Sequence, residues 1–234
     1  MKKPQTSETY DLMYSSEKAH APYSIHYSRS PYYPMYRAVL TALKKADVRE
    51  VLEIGCGSGA FAHLLFDRSS IQYCGFDFSR IAIEKAQTRT GRVACFQVGD
   101  ALESRHLSLS GASIVCTEVL EHIPDDRKLV ASWPVGTHCF CSVPNYDSQY
   151  HERFFKSESE VTERYGDLIE IQQIRRVRKP IIDDLALPNL IRHIRWNRYR
   201  PKRLVELAGF GDFDKIGGWF VFHGVRIEHA ENKF

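Results

Sequence analysis

A chain of 234 residues can bury one substantial hydrophobic core and is only marginally long enough for two. With 43% hydrophobic and 26% charged residues and no repeat or low-complexity tract, a disordered or fibrous protein is excluded, and the apolar runs are strand-sized, far short of the roughly 18 residues of a membrane span. A formal net charge of +3 gives no general attraction to nucleic acid, and the opening Met1-Lys2-Lys3-Pro4-Gln5-Thr6-Ser7-Glu8 lacks the apolar stretch of a secretory signal, so a cytoplasmic protein is expected.

Residues 1–34, with Tyr10, Tyr14, Tyr23, Tyr27, Tyr32 and Tyr33 among Ser, His and Pro, are expected to form an amino-terminal clasp rather than a core element. After Pro34, Met35, Val39 and Leu43 recur at four-residue spacing, which predicts a helix. Strand and helix then alternate. Strands are expected at 48–54, 71–76, 93–98, 112–117 and 138–143, with helices at 60–66 and after Ser79, whose hydroxyl suits a helix cap. Ser157-Glu158-Ser159-Glu160 fits a capping box opening a short helix to Tyr165. Leu168 to Ile174 then suggests a sixth strand, and residues 217–228 a last one. Strands separated by helices imply parallel crossovers and a sheet covered on both faces. The expected fold class is α/β: a doubly wound, Rossmann-like, mostly parallel seven-stranded sheet in a single domain. Its core occupies 48–176 and 213–229, with a basic insert at 177–212 before the last strand.

Inside the insert, Pro201 and Gly209 bracket a helix carrying Leu204, Val205 and Leu207. From Arg175 to Arg203 the cations Arg175, Arg176, Arg178, Lys179, Arg192, Arg195, Arg198, Arg200, Lys202 and Arg203 face only Asp183 and Asp184. Arginine grips phosphate or carboxylate through two parallel hydrogen bonds, so an anionic acceptor would suit this stretch, as would a purely solvated face; contact with nucleic acid or an acidic membrane surface is a further option. Cys74, Cys95, Cys116, Cys139 and Cys141 lie in apolar runs, and no C-x-x-C pair occurs, so reduced core thiols are expected rather than disulfides or zinc ligands.

The residues that carry chemistry gather at strand ends. The run Val51-Leu52-Glu53-Ile54-Gly55-Cys56-Gly57-Ser58-Gly59 makes a sharp strand-to-helix turn, where missing Cβ atoms let a ligand approach the backbone. Alone it is ambiguous, because Gly55, Gly57 and Ala60 also satisfy the spacing of a nicotinamide-dinucleotide turn. Asp77 ends the second strand 22 residues beyond Gly55, placed to accept both ribose hydroxyls. Asp100 follows the third strand, and Glu118, Glu121 and His122 follow the fourth. Polar groups at successive strand ends converge on the cleft where open α/β sheets bind ligands.

From about residue 48 to residue 145 the chain resembles class I S-adenosylmethionine-dependent methyltransferases of the small-molecule type. The motifs stand here as VLEIGCGSG, GFDFS, VGDA and TEVLEHIPDD. The resemblance implies Gly55, Gly57 and Gly59 beside the methionine part of S-adenosyl-L-methionine, with Glu53 near its amino group. It implies Asp77 and Phe78 at the ribose, Asp100 and Ala101 at the adenine, and Glu118 with Val119 at the pocket floor. The sulfonium is already activated, so such a protein mainly aligns an acceptor and, where needed, removes its proton.

His122 is the first candidate base and His151, on the loop after the fifth strand, the second. The E-x-x-E-H pattern of Glu118, Glu121 and His122 also resembles that of small RNA 3′-end 2′-O-methyltransferases and some quinone-biosynthesis O-methyltransferases, in which a divalent metal can hold the acceptor. Carboxylates and imidazole suit magnesium, manganese or zinc, with His151 as a further ligand; the chain lacks a second H-x-x-H cluster. The favoured expectation is metal-free methyl transfer to O or N of a small, anionic or neutral, metabolite. The alternatives are a metal-assisted RNA 3′-end enzyme, a non-catalytic cofactor-binding partner subunit and, last, a dehydrogenase. Oligomeric state and pathway are not legible.

Overall fold

The computed structural model describes residues 6–16, 25–103, 111–182, 184–207 and 212–228. Its strands are β1 (Glu50–Ile54), β2 (Gln72–Asp77), β3 (Phe96–Val98), β4 (Ser113–Thr117), β5 (His138–Pro144), β6 (Ile169–Arg178) and β7 (Gly218–Arg226). They form one sheet in the order β3-β2-β1-β4-β5-β7-β6, in which β7 runs opposite to the other six strands. The expected doubly wound, mostly parallel α/β sheet is present.

Residue alternation explains why both faces are covered. Leu52, Ile54, Ile114, Cys116, Cys139, Cys141, Phe220 and Phe222 enter one core, while Val51, Val115, Phe140, Trp219 and Val221 enter the other. Apolar residues on both sides of a strand are what a buried parallel sheet requires. The second core is closed by helices α2 (Tyr33–Lys45), α3 (Ala60–Arg68) and α4 (Arg80–Thr90), after an amino-terminal α1 (Ser7–Ser15). Met35, Val39 and Leu43 of α2 are fully buried at the predicted spacing. The first core is closed by α5 (Asp126–Ser132) and α6 (Glu158–Tyr165) through Leu129, Val130, Val161 and Tyr165. Helices α7 (Leu187–Trp196), α8 (Pro201–Leu207) and α9 (Phe213–Ile216) lie between β6 and β7.

The caps follow the sequence. Ser79 Oγ accepts the Ala82 N–H at 3.1 Å, and Ser157 Oγ accepts the Glu160 N–H at 3.2 Å. Glu160 closes its box one residue early, on the N–H of Lys156 at 2.7 Å.

Two boundaries need correction. Residues 93–95 form a 3-10 turn rather than strand, so β3 is only three residues long. It is an edge strand with a single neighbour, and Val93, 66% exposed, lies outside both cores; the apolar run there reflects no buried strand. β6 reaches Arg178, pairing it with Gly218, so the first two residues assigned to the insert belong to the sheet. Gly209, Tyr23 and Asp183 lie outside the described residues.

Candidate active site

The chain runs from β1 outward to β2 and β3, then returns to add β4 on the other side of β1, which opens a crevice at the carboxyl ends of β1 and β4. The glycine turn borders it. Gly55 has φ 69°, and a Cβ there would run into the Val119 side chain that follows β4. Gly57 has φ 50°, and a Cβ would stand 2.7 Å from the Tyr14 hydroxyl. At both positions glycine is required by contact as well as by conformation. Glu118 has φ 57°, a left-handed conformation that a non-glycine residue adopts only under constraint and that often marks a working site.

Two adjoining chambers occupy the crevice. The first, about 210 Å³, is lined by Phe76, Asp77, Phe78, Asp100, Ala101 and Val119 among others. The second, about 240 Å³, runs past Glu53, Gly57 and Ser58 to Tyr32, Tyr146, Tyr150, His151 and Lys179. Gly55, Glu118, His122, Tyr10 and Tyr14 line both.

Helix α1 forms the roof and is tied to α4. Asp11 accepts from the Ser79 hydroxyl and from the Ile81 N–H at 3.3 Å, and Lys85 Nζ donates to the Tyr14 carbonyl at 2.6 Å. Tyr10 packs 4.9 Å from Phe78 and 6.1 Å from His122, ring centre to ring centre. Of the residues expected to form a clasp outside the core, Ser7–Ser15 form this helix over both chambers, whereas Tyr27 is buried in the second core.

Asp77 accepts the N–H groups of Gly57 and Ser79, each at 2.9 Å, so it holds the glycine turn as well as facing the first chamber. Burial pushes it up to about 6 against those two hydrogen bonds. Glu53 is pushed up to about 8 by burial, opposed by the Tyr73 hydroxyl that donates to it at 2.5 Å. Asp100 is exposed and accepts the Leu102 N–H at 2.9 Å.

His122 Nδ1 lies 2.8 Å from the Tyr150 carbonyl. A carbonyl only accepts, so Nδ1 carries the proton and Nε2 presents a lone pair. Burial lowers this imidazole to about 4, so it is neutral near pH 7. His151 is buried, its Nδ1 3.2 Å from the Tyr146 carbonyl and its ring centre 5.0 Å from that of His122. Glu121 is fully buried, and neither of its carboxylate oxygens has a hydrogen-bond partner among the described residues. Burial, then the charge of Glu118, raises it well above the carboxylate range. Ligand atoms of Glu121, His122 and His151 lie within 4.8 Å of one another. Glu118 is raised by burial; its Oε2 lies 3.4 Å from the Tyr146 hydroxyl, and its N–H donates to Ser142.

A family model described as a methyltransferase domain matches residues 27–207. The chain belongs to this methyltransferase family. A ubiquinone biosynthesis O-methyltransferase from Neisseria meningitidis is 29% identical over 94 residues, covering 36% of this chain and 39% of that protein. The chain therefore matches well under half the length of this relative. A structure of the Haloferax volcanii complex between the Trm112 methyltransferase activator and a methyltransferase aligns with TM-score 0.62 and 17% identity, over 97% of this chain and 100% of that one. The N-methyltransferase NodS from Bradyrhizobium japonicum, bound to S-adenosylhomocysteine, aligns with TM-score 0.59 and 15% identity, over 94% and 99%. The fold is that of class I S-adenosylmethionine-dependent methyltransferases, and this chain is one of them.

In this methyltransferase every candidate cofactor, catalytic or metal residue named from the sequence except Gly59 and Glu121 lines one chamber or both. Gly59 caps α3 at φ 73° and packs against Ala86 of α4, where an added Cβ would come within 2.9 Å. Of the cations in the basic stretch only Lys179 lines the second chamber, its Nζ 4.9 Å from the centre of the Tyr146 ring. Tyr146 and Tyr150 were not singled out. Their signal is present in Pro144-Asn145-Tyr146-Asp147-Ser148-Gln149-Tyr150-His151, an aromatic loop directly after a strand whose end faces the crevice. No described helix is long and apolar enough to cross a membrane.

Proposed function

We propose that this methyltransferase moves the methyl group of S-adenosyl-L-methionine to an oxygen or nitrogen of a small metabolite bearing an anionic group. The observation that carries this is the wall shared by the two chambers: Gly55, Glu118 and His122 border a cofactor-type chamber on one side and a tyrosine-lined chamber with a lysine on the other. The first chamber suits the cofactor. Asp77 and Asp100 stand there for ribose and adenine hydrogen bonds, and the methionine part would reach past Gly55 into the near end of the second chamber, along Glu53 and Gly57. When bound, the cofactor supplies an activated methyl group on a sulfonium.

The chain's own residues do the rest. The tyrosines and α1 exclude water, Lys179 fixes the anionic end of the acceptor, and Nε2 of His122 accepts the hydrogen of its hydroxyl or amine. A neutral imidazole lowered by burial serves better to orient that hydrogen and receive it as the new bond forms than to ionise the acceptor beforehand. His151 lines the same chamber and is held in reserve for the same role. The ubiquinone O-methyltransferase and the N-methyltransferase NodS transfer to different atoms, so O and N both stay open.

The test is a thermal shift with S-adenosylhomocysteine and with NAD, followed by methyl-transfer assays on phenols and amines with and without a carboxylate or phosphate. Stabilisation by S-adenosylhomocysteine alone and turnover of an anionic acceptor are expected. Stabilisation by NAD alone overturns the reading, and cofactor binding without turnover of any acceptor points to a partner subunit.

A second reading has its own observation. Glu121, His122 and His151 form a carboxylate-imidazole set in which both Glu121 oxygens lack a donor among the described residues, a donor set that fits a divalent ion holding the acceptor. Loss of activity on chelation, restored by zinc, manganese or magnesium, would favour it; activity indifferent to chelation would remove it. An RNA 3′-end acceptor would add RNA binding that weakens steeply with salt.

A further inference from the structure

Helix α7 is left over from the site. Its ten residues, Leu-Pro-Asn-Leu-Ile-Arg-His-Ile-Arg-Trp, include none that is buried. A helix that short is marginal in water without a surface to pack on. Leu187, Ile191 and Ile194, at i, i+4 and i+7, stand on one stripe and are 68%, 42% and 53% exposed. Arg192 and Arg195, also exposed, occupy the next stripe round the helix. Trp196 at its end is 77% exposed, and Tyr199 just beyond is 83% exposed. Arg198, Arg200, Lys202 and Arg203 extend the positive charge into α8. The start of the helix is held to the body by Arg29, which pairs with Asp184 at 2.6 Å and accepts the Leu185 N–H on its carbonyl at 2.8 Å.

We infer that α7, with the segment to Arg203, docks this methyltransferase on an anionic lipid surface. An exposed aliphatic stripe beside a cationic stripe, with aromatic residues at the end, matches the water–lipid boundary: aliphatic side chains enter the acyl region, tryptophan and tyrosine sit among headgroups, and arginines meet lipid phosphates. Charge decides against the other occupants. A second copy of the face would bring Arg192, Arg195 and Arg198 against themselves, and a nucleic acid would meet the arginines but leave Leu187, Ile191 and Ile194 in water. The inference does not depend on the acceptor. None of these side chains lines either chamber.

The experiment is co-sedimentation of the full chain with phosphatidylcholine vesicles and with vesicles containing phosphatidylglycerol. Binding to the anionic vesicles at least about tenfold tighter is expected. Ile191→Asp with Ile194→Asp, and separately Arg192→Glu with Arg195→Glu, should each weaken it about tenfold, while the thermal shift by S-adenosylhomocysteine stays as in the parent and certifies the fold. Trp196 reports separately from the other two tryptophans, because Trp133 and Trp219 are 2% and 0% exposed; a blue shift on adding anionic vesicles should vanish in Trp196→Phe. Absence of vesicle binding, equal binding to both lipid mixtures, or anionic binding untouched by the two aspartates overturns the inference. So does RNA binding or self-association that those variants abolish while vesicles are ignored.

Discussion

The two chambers are built from different materials. The first is framed by strand ends and backbone: Gly55, Asp77, Asp100 and Glu118 each sit at or just after a strand of one rigid sheet. The second shares the strand ends at Gly55 and Glu118 and the glycine turn, but its far side is framed by long side chains from distant parts of the chain, with Tyr32 before α2, Tyr146 and Tyr150 after β5, and Lys179 after β6. On the proposed reading, a cofactor common to many enzymes rests mainly on backbone geometry, which tolerates little change, and the acceptor on side chains carried by connections, which can vary without disturbing the sheet.

The largest expected effect breaks the first chamber. Asp77→Ala removes the acceptor of the Gly57 and Ser79 N–H groups together with the ribose contacts, so S-adenosylhomocysteine affinity, measured by calorimetry, should fall by about a thousandfold if two charge-assisted bonds are lost. A loss below tenfold would mean that Asp77 serves the turn alone. In the second chamber, His122→Ala should lower kcat by about a hundredfold on any acceptor that turns over, with cofactor affinity changed only a few-fold. Lys179→Met should raise KM about tenfold for anionic acceptors and leave neutral ones unchanged. If either variant damages cofactor binding as Asp77→Ala does, the division between chambers fails.

The same division explains what the sequence revealed. Strand alternation in Val51 to Ile54, or in His138 to Val143, is a period-two pattern set by burial on two faces, and it places elements to within a few residues. Gly55, Asp77 and Glu118 are legible because their positions relative to strand ends are local in sequence. Lys179 was visible only as one cation among many in a basic run; that it alone turns into the chamber depends on β6 pairing with β7, a contact between segments about forty residues apart. Tyr14 over Gly57 depends likewise on Asp11 and Lys85 tying α1 to α4. The three-residue β3 was overextended because apolar character at 93–95 does not distinguish a strand from a turn.

A smaller effect sharpens the comparison through pH. Burial raises Asp77 from its ordinary value of 3.8 to about 6. Because the folded value is raised, the protonated form is favoured by folding, and the stability this group contributes is present below about pH 4 and is lost as pH rises through 6. Ribose hydroxyls need the carboxylate form, so S-adenosylhomocysteine affinity should run the other way, weakening about tenfold per pH unit below 6. Asp77→Asn should flatten both dependences. An affinity that stays level from pH 7 to 5 would place the ribose elsewhere.

The smallest effect concerns Glu118, the one residue of the shared wall that is strained. At φ 57° a side chain costs about 1 kcal/mol relative to glycine, and burial of its carboxyl adds to that. Glu118→Gly should therefore raise thermal stability by a few degrees, while weakening acceptor or cofactor binding because both chambers lose part of their common wall. Glu118→Ala separates the two contributions: it removes the carboxyl but keeps the Cβ in the left-handed region, so it should gain less stability and lose as much function. Were the glycine variant less stable than the parent, the strain would be offset by the Ser142 and Tyr146 contacts, and the conformation of Glu118 would belong to the sheet rather than to the site.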